Sequence, residues 1–152
     1  GFVLMGQDYA TVRLTDTAEG VVLQYIECKD ALKHTEEQVL KTIPMESAPL
    51  PMPYSNTYMS TTVPPVAPLA YVATDVFIKM EVKPRERKGN VPDLTAKFFY
   101  SLDGKKWTEL TEKPFVGKPG KWIGAKFGLY CNRLASKNDS GWMEADWVNV
   151  SE

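Results

Sequence analysis

Histidine and cysteine are almost missing from this chain. It has one histidine, His34, and two cysteines, Cys28 and Cys131. A zinc site of soft ligands cannot be assembled from these three unless carboxylates complete it. A Ser-His-Asp triad would have to use His34, and no partner for it is visible, so a surface histidine is the simpler reading. The cysteines can form at most one bridge, which sequence alone leaves open. Two separate buried thiols are the expectation, because unbridged cysteine is among the most buried residue types.

An excess of positive charge is also lacking. Lys plus Arg is 18 and Asp plus Glu is 19, for a formal net charge of −1. A nucleic-acid binder of this size carries a basic surplus, so that class is set aside. No apolar run approaches the roughly 20 residues of a membrane-spanning helix. The opening Gly1-Phe2-Val3-Leu4-Met5-Gly6 is apolar but short and has no basic stretch before it, so it does not read as a signal peptide. Helix signals are confined to one short piece, residues 31–38.

What remains is strand, in a chain of 152 residues that reads as a single domain over 1–152. Val76, Ile78, Met80 and Val82 alternate with Phe77, Lys79 and Glu81, a period of two that puts one row on a buried face. Val12 and Leu14 alternate with Thr11 and Arg13. The run Val21-Val22-Leu23-Gln24-Tyr25-Ile26-Glu27-Cys28 is apolar on both faces, as in an interior strand, and Asp16-Thr17-Ala18-Glu19-Gly20 before it reads as a hairpin turn. The Asp103-Gly104 pair marks a second hairpin, with residues 107–110 returning. Further strands are expected over 122–130 and 142–150. Many short strands joined by turns predict an all-β fold, an antiparallel β-sandwich.

Seven of the eleven prolines fall between Pro44 and Pro68. Proline lacks the N–H a ladder needs, so residues 44–69 are expected to form a long irregular loop of polyproline-like character. A second loop, 84–90, is charged and read as solvated.

Three stretches carry a resemblance. They are Gly6-Gln7-Asp8-Tyr9-Ala10 with two strands and Cys28-Lys29-Asp30-Ala31; the hairpin Tyr100-Ser101-Leu102-Asp103-Gly104-Lys105-Lys106-Trp107; and Trp122-Ile123-Gly124-Ala125-Lys126-Phe127-Gly128-Leu129, closing with Gly141-Trp142-Met143-Glu144-Ala145-Asp146-Trp147. In this order the chain resembles the C-terminal concanavalin A-like jelly roll of family 43 glycoside hydrolases, the β-xylosidase and α-arabinofuranosidase group. The closing strand departs from the family's Asp-aromatic-Asp-Trp pattern, and the proline-rich loop looks longer than usual. Family members also carry strands ahead of the point matching Gly1. The sandwich is therefore expected to lack its first strands and to leave an unpaired edge, which invites a partner or homo-oligomer.

The resemblance implies an accessory, non-catalytic domain that braces a catalytic five-bladed propeller and shapes its pocket, on xylan- or arabinan-type glycans. The propeller would hold the two catalytic carboxylates, so no catalytic residue is assigned here. A carbohydrate-binding module, and an assembly domain using the proline-rich loop, are the rival readings. Export, secreted or periplasmic, is favoured slightly over a cytoplasmic place. Sugar binding uses aromatic faces flanked by polar groups. Trp107, Trp142 and Phe115 at strand or loop borders, and Tyr54 and Tyr58 in the proline-rich loop, are the candidate contacts. Trp122 and Trp147 read as core. Glu144 and Asp146, two apart on an expected strand, would point to one face about 7 Å from each other. A charged outer face is the simpler reading of that pair. A calcium site there, or at Asp8, is the alternative, although no dense oxygen-ligand loop appears.

Overall fold

Alternating apolar and polar residues build eleven strands in the computed structural model, which describes residues 1–49, 70–72, 75–84, 94–118, 120, 124–132 and 145–151. The first sheet holds β1 (Phe2–Met5), β2 (Tyr9–Thr17), β3 (Gly20–Cys28), β4 (Gln38–Pro44) and β11 (Lys126–Leu129), in the order β11-β1-β2-β3-β4. The second centres on β8 (Leu94–Ser101), flanked by β7 (Phe77–Pro84) on one side. β9 (Thr108–Glu109) and β10 (Phe115–Gly117) share its other edge. A small third sheet pairs β5 (Ser47–Pro49) with β6 (Ala70–Val72). All pairings are antiparallel.

One core joins the two larger sheets. Leu4, Ala10, Val12, Leu23, Tyr25 and Met45 come from the first; Ala96, Phe98, Leu110 and Phe115 come from the second. Ile78, Met80 and Val76 pack against this cluster, as their period of two requires, while Val82 and Leu14 at the far ends of their strands are exposed. The architecture is the all-β antiparallel sandwich expected from the sequence.

The two hairpin turns also stand where expected. β2 and β3 close through Ala18-Glu19, with Thr17 opposite Gly20. In the second hairpin the Asp103 carboxylate accepts the N–H groups of Lys105 and Lys106, both at 2.8 Å. Those two N–H bonds, with a third from the Ser101 hydroxyl, hold the Asp103 carboxyl below its ordinary pKa. Gly104 adopts a φ of 67°, where a side chain would be strained, and the Phe77 ring lies 3.3 Å from where a Cβ would sit, so any other residue would also press on that ring.

Several expectations are corrected. Of residues 31–38 only Ala31–Lys33 is helical, as one 3-10 turn; Asp30 and His34 on either side have φ of 50° and 57°, and these left-handed residues stop it from continuing. The irregular segment does not begin at Pro44, because Ser47–Pro49 is laddered to Ala70–Val72. Both strands of a two-stranded sheet are edges, where proline is tolerated. Residues 50–69, including Tyr54 and Tyr58, lie outside the described residues. Of the strand expected over 142–150, residues 145–151 pair with no neighbour among the described residues. No unpaired edge arises at Gly1: β1 is laddered on both sides, to β2 and β11. The cysteines are both free, but only Cys28 is buried; Cys131 is exposed.

Burial gives the fold an alkaline limit. The Tyr25 hydroxyl donates to Glu27 Oε1 at 2.6 Å and the Tyr9 hydroxyl to Glu37 Oε1 at 2.7 Å. Desolvation first, then the neighbouring carboxylate, raises both phenols far above their ordinary value of 10.0. A folded-state pKa above the unfolded one stabilises the fold fully below the unfolded value and loses that contribution as pH rises past it. Stability is therefore expected to fall above about pH 10. In Tyr25→Phe the fall should be shallower, as read from urea midpoints across an alkaline series; an unchanged slope would show that Tyr25 is not its source.

Candidate functional site

Because Ile78 and Met80 point into the core, Phe77, Lys79 and Glu81 on the same strand point outward. On β8 the inward residues are Ala96 and Phe98, which turns Lys97 and Phe99 outward. The register pairs Lys79 with Phe99 and Phe99 with Glu109, giving one row across three strands; Glu81 pairs with Lys97 in the next. Trp107, set by the Asp103 turn just ahead of β9, joins this outer face at 37% exposure. The Lys79 ammonium lies 4.4 Å from the Phe99 ring centroid and 5.2 Å from that of Trp107, and it donates to Glu81 Oε1 at 2.9 Å. Lys97 and Glu109 form the neighbouring ion pair at 2.8 Å. The hydrogen bond from Lys97 is the main cause holding the Glu109 carboxyl below its ordinary pKa. From the C-terminal segment, the Trp147 ring stands 6.3 Å from that of Phe77, tilted by 46°. It is 61% exposed, not the core residue expected from sequence.

Of the candidate sugar contacts among the described residues, Trp107 falls on this face and Phe115 does not. Phe115 is a correction: at 2% exposure it belongs to the core, with the Lys29 ammonium 4.0 Å from its ring centroid, and no ring face is left for a sugar. Trp142, Tyr54, Tyr58 and Glu144 lie outside the described residues. Asp146 is exposed beside Trp147. Among the described residues, no three of His, Cys, Asp and Glu gather where they could hold a metal. Sequence reasoning missed Phe77, Phe99 and Trp147. The signal for the first was present, since Phe77 and Lys79 share the row opposite the apolar one.

A second surface lies at the sheet edge. β11 is the edge strand of the first sheet, next to β1, and β10 of the second sheet lies against β2. Cross-strand pairing puts Phe127 opposite Leu4 and Leu129 opposite Phe2, on the core side. There Phe127 is 51% and Leu129 46% exposed, and the Phe2 and Phe127 rings meet edge to face at 6.2 Å. The core face thus continues into the open as an apolar ledge.

At one end of the sandwich, Asp8 is buried. Its Oδ1 accepts the Asp30 N–H at 2.8 Å and its Oδ2 the Lys118 N–H at 3.2 Å. The Lys118 ammonium reaches Asp30 Oδ1 at 3.1 Å, and that hydrogen bond is the main cause lowering the Asp30 carboxyl's pKa.

Two sheets sharing one core, with the Tyr-Ser-Leu-Asp-Gly hairpin leading to Trp107, set the frame for comparison with known families. The sequence model of the beta xylosidase C-terminal concanavalin A-like domain, from glycoside hydrolase family 43, matches residues 1–151. The chain belongs to this family. Comparisons with curated proteins and with solved structures found no match. A family 43 C-terminal domain has a catalytic domain as its partner in the parent enzyme. No helix among the described residues is long and apolar enough to cross a membrane.

Proposed function

We propose that this chain is an accessory, non-catalytic domain that braces the catalytic propeller of a family 43 enzyme acting on xylan- or arabinan-type glycans, and shapes its pocket. The apolar ledge of Phe2, Phe127 and Leu129 carries this reading. Uncharged residues left open at the margin of a core are what a neighbouring domain covers.

The test uses the chain alone and with the propeller of its parent enzyme. Alone, it is expected to leave aryl xylosides and arabinosides intact. Mixed with the propeller, it should co-elute on a sizing column, and Phe127→Asp should abolish co-elution while the circular dichroism spectrum stays unchanged. Turnover by the isolated chain defeats the non-catalytic reading. Undiminished co-elution of Phe127→Asp removes the ledge as the docking surface.

A further inference from the structure

The ledge and the outer face of the second sheet differ in a way that separates their occupants. The ledge is apolar at its centre. The outer face has an ion pair there: the Lys79 ammonium, bonded to Glu81, lies among the rings of Phe99 and Trp107. Lys and Glu are depleted from the centres of protein interfaces, where burying them costs more than it returns. Aromatic rings beside fixed donors and acceptors suit a ligand with both C–H faces and hydroxyl groups. The C–H face of a pyranose covers a ring, while its hydroxyls bond the charged groups at the rim.

Charge narrows the ligand further. At the centre of the face each ammonium already has its carboxylate, Lys79 with Glu81 and Lys97 with Glu109, so no unpaired charge stands between the rings. The rings span β7, β8 and the approach to β9, about 10 Å across the strands, with room for more than one sugar ring. Phe77 and Trp147 extend the aromatic surface at one end.

We infer that this outer face, with Trp107, Trp147 and Phe77 beside the Lys79–Glu81 pair, is a binding platform for a neutral pyranose polysaccharide chain. It lies on the second sheet, apart from the ledge, and holds the glycan while hydrolysis takes place on the partner domain. The choice of sugar rests on the proposed function; the existence of the platform does not. The binding test uses the isolated chain, so a failure of propeller docking leaves it untouched.

The experiment is a calorimetric titration of the chain with two neutral pyranose oligomers, xylohexaose and cellohexaose, with tryptophan fluorescence as a second readout. Saturable binding to at least one is expected. Trp107→Ala and Trp147→Ala should each weaken it about tenfold. Leu32→Ala, on the exposed 3-10 turn, should leave it unchanged. Trp147 is mostly solvent-exposed, so its variant tests the platform even if Trp107→Ala fails to fold. Three results overturn the inference: no saturation by either sugar at millimolar concentration, full affinity in both tryptophan variants, or equal binding of a polygalacturonate oligomer.

Discussion

Phe98→Ala is expected to cost about 3–5 kcal/mol of folding stability, a large part of the total for a domain of this size. Phe98 has 0% exposure on β8, the central strand of the second sheet. Its ring packs 5.4 Å from that of Tyr25, at a tilt of 42°, and this contact spans the two sheets. Truncation removes the transfer energy of the ring and the aromatic pair together. It also leaves a cavity that the sheets cannot close, because β8 is laddered on both edges. The next residue is the control. Phe99 points outward and touches Lys79, so Phe99→Ala should cost only about 0.5–1 kcal/mol, the value of an exposed cation–π contact. Urea unfolding of both variants measures the difference. Similar losses at the two positions would mean that the register of β8 is wrong by one residue.

That contrast also shows what was legible in the sequence. The β2–β3 hairpin, the inward row Val76, Ile78 and Met80, and the Asp103-Gly104 turn rest on local signals, and each lies where it was read. Period two separates a strand's faces. It does not say whether the outer face is bare or covered, nor how far the opposite sheet reaches. Phe127 and Leu129 lie on the strand expected over 122–130, and only the structure shows that they form a ledge. Phe115 and Trp147 exchange their expected places for a related reason. The strand holding Phe115 has three residues, too few to show a period, and Trp147 has a strand-like pattern around it but no strand beside it. The pairing of Ser47–Pro49 with Ala70–Val72 is non-local, and the proline on the first strand argued against it. Of the platform, only Trp107 was anticipated. The rest needs the register between β7 and β8, which places Lys79 beside Phe99.

Asp8→Ala is expected to be the most damaging change outside the hydrophobic core, at about 2–4 kcal/mol. The carboxylate ties together three segments that are far apart in sequence. Asp8 itself lies between β1 and β2, Asp30 follows β3, and Lys118 follows β10 of the second sheet. Backbone bonds reinforce the joint: Gln7 N–H donates to the Lys118 carbonyl at 2.8 Å, and Ala31 N–H to the Gln7 carbonyl at 2.9 Å. Removing the carboxylate leaves the N–H groups of Asp30 and Lys118 without an acceptor, and each orphaned donor costs more than an ordinary hydrogen bond contributes. Asp8→Asn keeps one acceptor but turns an NH2 group toward a donor, so about half the loss should return. The ion pair to Lys29 is the lesser part, at 3.8 Å to a lysine that is nearly half exposed. Lys29→Met should therefore cost under about 1 kcal/mol. If Lys29→Met is as harmful as Asp8→Ala, charge pairing holds this end of the sandwich. If Asp8→Ala is harmless, the backbone bonds at Gln7 and the shared core hold this end without the carboxylate.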